Sequence, residues 1–171
     1  MSSEVPHDDA FAAFVRVRWT PLVRLAYTVT GDVARAEDAV QEGFAKLWPR
    51  WSRLRDEDPY GYVRRVVVNE AVTAGRRRWR RSEVVTDRPP ERPVPQDVDD
   101  WASLRTALAA LTPRQRAVVV LRFVEDLSEA QVAQVLGCSV GTVKAHASRG
   151  LAMLRAASGT PTRPTSRKGT P

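Results

Sequence analysis

Apolar residues recur every three or four positions through two long stretches of the chain, a pattern that predicts amphipathic helices. The first stretch begins with Phe11, Phe14 and Val15 on one helical face. Pro21 predicts that the chain restarts there as a second helix. The pattern then breaks at Asp32, which is a candidate N-cap for the next helix.

The remainder of this stretch keeps the helical spacing. An apolar stripe runs over 33–48, and Asp58 followed by Pro59 is typical of an N-cap and a first helical residue. The valines at 66–68 fit a short strand as well as a helix, but no partner strand with turn signals is visible. We therefore predict a helix there and an all-α fold. Core or edge positions are expected for the aromatic residues Trp48, Trp51 and Trp101.

The second stretch predicts a helix-turn-helix. A threonine–proline pair at 112–113 begins one helix, and Ser128 with Gln131 forms a capping box that opens a short one. That short helix ends at Gly137, which permits the left-handed backbone that redirects the chain. Ser139 is then predicted to cap the last helix.

Prolines and acidic residues divide the chain into two modules. Residues 86–100 hold four prolines and five acids, a composition that cannot form a packed core. We therefore predict two small helical domains, at 8–82 and 101–157, joined by a flexible linker at 83–100. Residues 158–171 are predicted to form a disordered basic tail.

The charge points to a polyanionic partner. The formal net charge is +7, and 24 of the 27 basic residues are arginines, since the lysines are Lys46, Lys144 and Lys168. Nucleic acid, anionic lipid and acidic proteins all attract such a chain. The arginine excess also fits a GC-rich genome, so composition does not choose among these partners.

The same composition argues against several classes of protein. Cys138 is the single cysteine and is expected to be a small apolar turn residue, so no intramolecular disulfide can form. With only His7 and His146 beside it, an all-protein zinc site is disfavoured, and we expect no metal or other cofactor. The sequence shows neither a nucleophile with a nearby base nor a glycine-rich phosphate loop, so we expect no catalytic activity. The acidic N-terminus and the lack of long apolar runs predict a cytoplasmic protein without membrane insertion.

The last predicted helix places short polar and cationic side chains near its start, as a recognition helix in the major groove does. An ordinary helical hairpin with a hydrated polar face is the alternative. The candidate DNA-contacting residues on this helix are Thr142, Lys144, Ala145, His146, Ser148 and Arg149.

Two parts of the chain resemble one known family. Residues 111–155 resemble region 4 of bacterial sigma-70-type factors, although response-regulator output domains share a similar core. Residues 36–48, AEDAVQEGFAKLW, resemble region 2.2 of that family almost position by position, and 62–81 resembles regions 2.3 and 2.4. The order and spacing resemble the extracytoplasmic-function (ECF) class, which keeps only regions 2 and 4.

This resemblance implies a function. A sigma factor binds core RNA polymerase and directs promoter-specific transcription initiation. Region 4 would recognise the −35 element, and region 2 would recognise and open the −10 element. The implied partners are core RNA polymerase and promoter DNA. The class commonly pairs with an anti-sigma protein as well, although no feature of the sequence demonstrates one.

The resemblance also implies two sites in region 2. Its polymerase contact would lie on an acidic helix side formed by Glu37, Asp38, Gln41 and Glu42, although such a side is also typical of a hydrated face. Its −10 contact would combine arginines with an aromatic platform and an amide for an unstacked base. The residues assigned to that contact are Tyr62, Arg65, Asn69, Arg76, Arg77, Trp79 and Arg80. Asn69 is equally able to bond a neighbouring backbone group, and Trp79 to pack on the core.

Three positions depart from the family pattern. Thr73 stands where the class usually has an aspartate. Gly75 lies inside a predicted helix and should weaken it by about 1 kcal/mol relative to alanine. Gly150 follows Arg149 where Arg-Ala-Arg is commoner, which suggests that one phosphate-contacting charge is missing.

Two other classes of protein fit less well. A regulator with an N-terminal sensor domain would need alternating strands within 1–82, and none are visible. An adaptor that binds only proteins would leave the arginine cluster at 76–81 and the recognition helix unexplained.

Overall fold

The computed structural model describes residues 5–81 and 106–157, and these ranges contain helices and turns but no strand. The all-α prediction is therefore confirmed, including the helix over 66–68. The predicted linker at 83–100 and tail at 158–171 lie outside the described residues. The helices are α1 (Val5–Thr30), α2 (Val33–Leu47), a 3-10 turn (Trp48–Arg50), α3 (Trp51–Leu54), α4 (Pro59–Arg81), α5 (Pro113–Phe123), α6 (Glu129–Leu136) and α7 (Val140–Ala157).

Helix α1 runs unbroken through Pro21, so the predicted restart at that residue is wrong. Proline lacks the N–H that would bond to the carbonyl of Val17, one turn earlier. Val17 is 66% exposed, so water can hydrate that carbonyl. Burial of Leu22, Leu25 and Val29 just after the proline holds the helix against the core. Tertiary packing thus outweighs the cost of proline in a helix interior, which is about 3 kcal/mol relative to alanine.

The predicted helix starts are confirmed by their caps. Asp32 and Asp58 each accept a hydrogen bond from the backbone N–H three residues on, at 3.0 and 2.8 Å respectively. Ser128 forms the predicted capping box at the start of α6. Thr112 forms a second capping box at the start of α5, so both helices begin with two backbone donors satisfied.

Helices α1, α2 and α4 pack around the core of the N-terminal module. A glycine in α2, Gly43, allows the close approach of α2 and α4. A Cβ at this position would lie 2.6 Å from Val67 Cγ2 and 3.1 Å from Val63 Cγ2. The glycine of the 36–48 motif is therefore required by helix packing.

Aromatic side chains close one end of this module. The ring of Phe11 lies 5.2 Å from that of Trp51 and 4.8 Å from that of Trp48, measured between centroids. Trp51 is buried and Trp48 is 46% exposed, which confirms one core and one edge aromatic. Trp101 lies outside the described residues.

Helices α5, α6 and α7 form the predicted helix-turn-helix with its supporting helix. Gly137 ends α6 with φ of 60° and ψ of 45°, the left-handed conformation expected there. Val143 of α7 is fully buried at the joint. Gly150 faces α5, where a Cβ would lie 2.8 Å from Val119 Cγ2. Position 150 is therefore a packing position, and the predicted loss of a phosphate-contacting charge next to Arg149 stays a prediction.

The two modules pack against each other, an arrangement that the sequence did not predict. Helix α5 contacts α1 and α4, helix α6 contacts α4, and buried apolar residues from both modules form one connected cluster. Gly75 of α4 lies at this contact, where a Cβ would be 3.0 Å from Pro113 Cβ. The glycine that is unfavourable for an isolated helix is thus explained by the close approach of α5.

Gly137→Ala should lower the free energy of unfolding by about 1 kcal/mol, because alanine is strained in the left-handed conformation. Chemical denaturation followed by circular dichroism measures this change. Gly141→Ala is the matched control, since Gly141 is exposed in α7 and a Cβ there would come no closer than 3.8 Å, to Ser139 Oγ. Equal stability of the two variants would contradict the role assigned to the turn.

Candidate nucleic-acid and polymerase interfaces

Helix α7 begins with a side-chain cap that orients its first turn. Ser139 Oγ accepts the Thr142 backbone N–H at 3.1 Å and lies 2.9 Å from Thr142 Oγ1. Thr142 is half-buried as a result, whereas the next predicted DNA-contacting positions are open to solvent. The exposed members of that set are Lys144, Ala145, Ser148 and Arg149.

The charged residue nearest the start of α7 has a weak protein partner. Lys144 Nζ lies 3.7 Å from Glu129 Oε2 on α6, and the lysine side chain is 63% exposed. An exposed ion pair of this kind contributes at most about 1 kcal/mol. Lys144 can therefore exchange this carboxylate for a phosphate at little cost.

His146 turns partly inward, so the expectation that it faces out of the helix is wrong for its Nδ1 edge. Its Nδ1 atom is buried, and no hydrogen-bond partner for it occurs among the described residues. Burial lowers the pKa of His146, and the nearby charges of Arg114 and Arg149 lower it further. The imidazole is consequently neutral at pH 7, and its contact with DNA stays a prediction.

The C-terminal end of α4 presents a dense cationic surface. Arg76, Arg77 and Arg80 are exposed, and Trp79 between them is 48% exposed. Trp79 thus does not pack in the core, which was the alternative to a solvent-facing aromatic platform. A flat ring flanked by guanidinium groups suits stacking on a base and pairing with phosphate.

Nearer the start of α4, Tyr62, Arg65 and Asn69 lie along the same helix. The Arg65 guanidinium carbon lies 5.6 Å from the Tyr62 ring centroid. Asn69 Nδ2 donates to two carbonyls, those of Arg65 at 2.8 Å and of Val135 at 2.7 Å. The bond to Arg65 is the contact with a neighbouring backbone group that was expected as the alternative to base binding. The bond to Val135 joins α4 to α6 of the other module.

The acidic side of α2 is largely open to solvent. Asp38, Gln41 and Glu42 are exposed and Glu37 is half-buried. Lys46 Nζ lies 3.1 Å from Glu42 Oε1 and donates to Glu70 Oε1 at 2.8 Å.

The pKa of Lys46 is raised by its hydrogen bond to Glu70 first and by the one to Glu42 second. The lysine therefore remains charged and partly neutralises one end of this acidic side. At the other end of this side, Asp38 is exposed and has no ion-pair partner among the described residues.

Sequence reasoning located Trp48 but missed the role of Arg116. Trp48 was predicted as a core or edge aromatic and is 46% exposed directly after α2. Arg116 is 8% exposed and bonds to Val29 in the other module. The sequence does hint at the role of Arg116, because this charged residue directly precedes the apolar run of α5. An arginine on the buried face of a helix needs hydrogen-bond partners inside the protein.

Three further features bear on function: metal-binding groups, membrane-spanning helices and the single cysteine. No group of three or more His, Cys, Asp or Glu side chains within 5–81 and 106–157 is arranged to hold a metal ion. Among the helices in those ranges, none combines the length and apolarity that crossing a membrane demands. Cys138 is a free, half-buried thiol in the helix-turn-helix turn.

These features define a helical protein with a helix-turn-helix DNA-binding module and a second module whose long helix ends in arginines and an exposed tryptophan. Family comparison agrees with both halves. Residues 18–81 match the family model for sigma-70 region 2, and residues 101–154 match that for sigma-70 region 4.

Known relatives cover most of the chain. It is 38% identical over 149 residues to the RNA polymerase sigma-E factor of Streptomyces coelicolor, spanning 85% of this chain and 84% of that protein. It is 34% identical to the ECF RNA polymerase sigma factor SigE of Mycolicibacterium smegmatis, over 82% of this chain and 58% of that protein. The chain belongs to the sigma-70 family, as an ECF RNA polymerase sigma factor with regions 2 and 4.

Solved structures share the fold. The sigma factor RpoE from Bartonella quintana, in complex with the anti-sigma factor NepR, superposes with a TM-score of 0.70 at 23% identity. That likeness covers 90% of this chain and 99% of the other. CnrH in complex with the cytosolic domain of CnrY gives a TM-score of 0.60 at 25% identity, covering 91% of each chain.

Removing both Lys144 and Arg149 with alanine substitutions should weaken holoenzyme binding to a promoter fragment and flatten its salt dependence. Each phosphate contact that the variant no longer makes lowers the slope of log affinity against log salt by about 1. Filter binding from about 50 to 200 mM salt measures that slope. A double variant of the exposed Arg16 and Arg53 removes the same charge from the other module and should keep the slope. An unaltered slope in the α7 variant would exclude both residues from the interface.

Proposed function

We propose that this sigma factor divides promoter recognition between its modules through the residues described above. Residues 101–157 act at the −35 element, and residues 8–82 act at the −10 element and on polymerase. Residues 83–100 connect the two. The observation that carries this proposal is the presence in one chain of two exposed cationic surfaces on separate modules, at the start of α7 and the end of α4.

On the C-terminal module, α7 inserts into the major groove of the −35 element. Lys144 and Arg149 contact phosphates, and Ala145 and Ser148 lie close enough to the groove for base edges. Thr142 supports the first turn through Ser139 and is available to a backbone phosphate. His146 contributes as a neutral group.

On the N-terminal module, α4 engages the −10 element. Arg76, Arg77 and Arg80 neutralise phosphates, so binding depends steeply on salt. Trp79 supplies a stacking surface for a base that has left the duplex, and stacking of this type contributes about 1–3 kcal/mol. Asn69 offers amide donors and an acceptor to that base, with Tyr62 and Arg65 beside it.

The acidic side of α2 is the proposed contact with core polymerase. The chain as a whole carries a net charge of +7, but this side of α2 is negative. DNA will therefore not compete with polymerase for this surface. The exposed Trp48 adjoins this side and adds apolar contact area. An anti-sigma protein is a further proposed partner, since the solved relative RpoE was captured with the anti-sigma factor NepR.

The work of this chain is binding rather than catalysis, and its site of action is the cytoplasm, where polymerase and chromosome are. The direct test is a run-off transcription assay with purified chain, core polymerase and fragments of the genome that encodes it. Discrete transcripts that require the chain are expected. If the chain selects no start sites from any fragment, the proposed function is wrong.

Asp38→Arg should weaken binding to core polymerase by about tenfold, because it reverses the charge of an exposed acid at the end of the acidic side away from Lys46. Fluorescence anisotropy of labelled chain titrated with core polymerase measures this affinity. Glu57→Arg is the control, since Glu57 is an exposed acid between α3 and α4. If both variants bind equally well, α2 is not the contact.

Asn69→Ala should leave holoenzyme binding to closed duplex promoter nearly unchanged but impair strand opening. The amide acts only on a base that has left the stack. Permanganate footprinting of unpaired thymines measures opening, and gel shift on the same fragment is the internal control. Wild-type permanganate reactivity in the variant would rule out this role for Asn69.

A further inference from the structure

Arg50 is an exposed arginine of the 3-10 turn that follows α2, on a different segment from the proposed −10 residues of α4. Its Nη1 donates to the backbone carbonyl of Lys46 at 3.0 Å. This carbonyl belongs to the last turn of α2, where carbonyls lack helical partners and the helix dipole favours a cation. The bond therefore fixes the Arg50 guanidinium at the C-terminal end of α2.

The same guanidinium lies over the ring of Tyr62 on α4. The guanidinium carbon of Arg50 is 5.8 Å from the centroid of that ring, and the guanidinium carbon of Arg65 is 5.6 Å from it. Cations within about 6 Å of an aromatic centroid are attracted by the ring. Tyr62 thus brings together arginines from two segments, and we call these three residues the arginine–tyrosine cluster.

The two guanidinium groups of the arginine–tyrosine cluster are not neutralised by acids. Lys46, whose carbonyl binds Arg50, takes up Glu42 and Glu70 with its own ammonium group, at 3.1 and 2.8 Å. Neither Arg50 nor Arg65 has an ion-pair partner within residues 5–81 and 106–157. A carbonyl and a ring face orient these cations but leave their charge in place, so the cluster attracts an anion from solution.

Most of the hydrogen-bond donors of Arg50 are available to such an anion. A guanidinium carries five N–H donors in a planar fork, and the bond to Lys46 uses one of them. Because Arg50 and Arg65 are both exposed, a ligand can approach them from solvent. The planar fork matches the paired oxygens of a phosphate group. The ligand class that fits the cluster is therefore a phosphodiester.

The cluster extends the proposed −10 contact toward the start of α4. Asn69 Nδ2 donates to the backbone carbonyl of Arg65, so the cluster lies one turn away from the proposed base-binding amide. From Tyr62 to Arg77, α4 rises about 22 Å at roughly 1.5 Å per residue. About six phosphates cover this length at the 3.4 Å spacing of one DNA strand. A strand that runs along α4 from Arg77 therefore reaches the cluster.

We propose that Arg50 binds a phosphate of the −10 strand and is held in position for it by the Lys46 carbonyl and the Tyr62 ring. This inference rests on the proposed function of α4 and adds to it a residue from another segment. Because every sequence carries the same phosphates, Arg50 contributes affinity and fixes the path of the strand without reading bases.

The competing role for Arg50 is structural, since its bond to Lys46 also caps the end of α2. A cap alone affects the stability of the fold and leaves the number of phosphates contacted unchanged. The salt dependence of DNA binding separates the two roles, because its slope counts phosphate contacts.

Arg50→Ala should lower the slope of log affinity against log salt by about 0.7 when preformed holoenzyme binds a single strand, because one phosphate contact is lost. The probe is a fluorescein-labelled oligonucleotide with the non-template strand of a promoter located by run-off transcription. Its anisotropy from about 50 to 200 mM salt gives the slope. Arg50→Lys keeps the charge and should keep the slope. Arg53→Ala is the matched control, since it removes an exposed arginine of α3 and should also keep the slope.

A scrambled strand of the same length and composition separates phosphate binding from base reading. Arg50→Ala should weaken binding of the promoter strand and of the scrambled strand by the same factor, because both carry the same phosphates. Weakening of the promoter strand alone would overturn the inference, since Arg50 would then contact a base.

The double variant Arg76→Ala with Arg77→Ala tests the proposed function separately and should lower the slope by about 1.4. If it does so while Arg50→Ala leaves the slope unchanged, Arg50 is only a cap and the inference is wrong, but the proposed function stands. If neither variant changes the slope, α4 does not bind the −10 strand, and the proposed function fails together with the inference. Equal slope losses in Arg50→Ala and Arg53→Ala would also contradict a specific contact at Arg50.

Discussion

The buried guanidinium of Arg116 is the constraint on which the arrangement of the two modules depends. It is charged at neutral pH even though burial, and next the nearby Arg78, lower its pKa to about 10. Removal of such a charge from water costs several kcal/mol unless its donors are satisfied. The satisfying carbonyls lie near the C-terminal ends of α1 and of the helical stretch 106–109, where helix dipoles favour a cation. One side chain therefore ties three helices from both modules together.

The consequences of that tie extend to the functional surfaces. Because α5 is held on α1 and α4, the short helix α6 comes within hydrogen-bond distance of Asn69, while Lys144 and Arg149 of α7 stay exposed. The acidic side of α2 also remains exposed. In this arrangement the arginines of the proposed −10 contact, Arg76, Arg77 and Arg80, are open to solvent as well.

Much of the fold could be predicted because local chemistry determines it. The caps at Asp32, Asp58 and Ser128 and the left-handed turn at Gly137 depend on residues adjacent in sequence, and the structure confirms them. The prediction at Pro21 is wrong because tertiary burial of α1, which local propensity does not contain, outweighs the loss of one hydrogen bond.

The partly inward position of His146 and the packing role of Gly75 were missed because both depend on helices distant in sequence. The candidate residues of α2 and α4 were assigned through motif resemblance, and those of α7 from the helix-turn-helix pattern. The bond from Asn69 to Val135 was not, since it joins residues of different modules and leaves no periodic signature.

The most direct measurement is the distance between the modules in the free chain and on a promoter. A Cys138→Ser chain with dyes on Arg53→Cys and Met153→Cys places one label on an exposed position of each module. Energy transfer should be high in the free chain, because the two modules pack against each other, and should fall sharply in the holoenzyme–promoter complex, where each module contacts its own promoter element. Low transfer in the free chain, or high transfer retained on the promoter, would contradict the account.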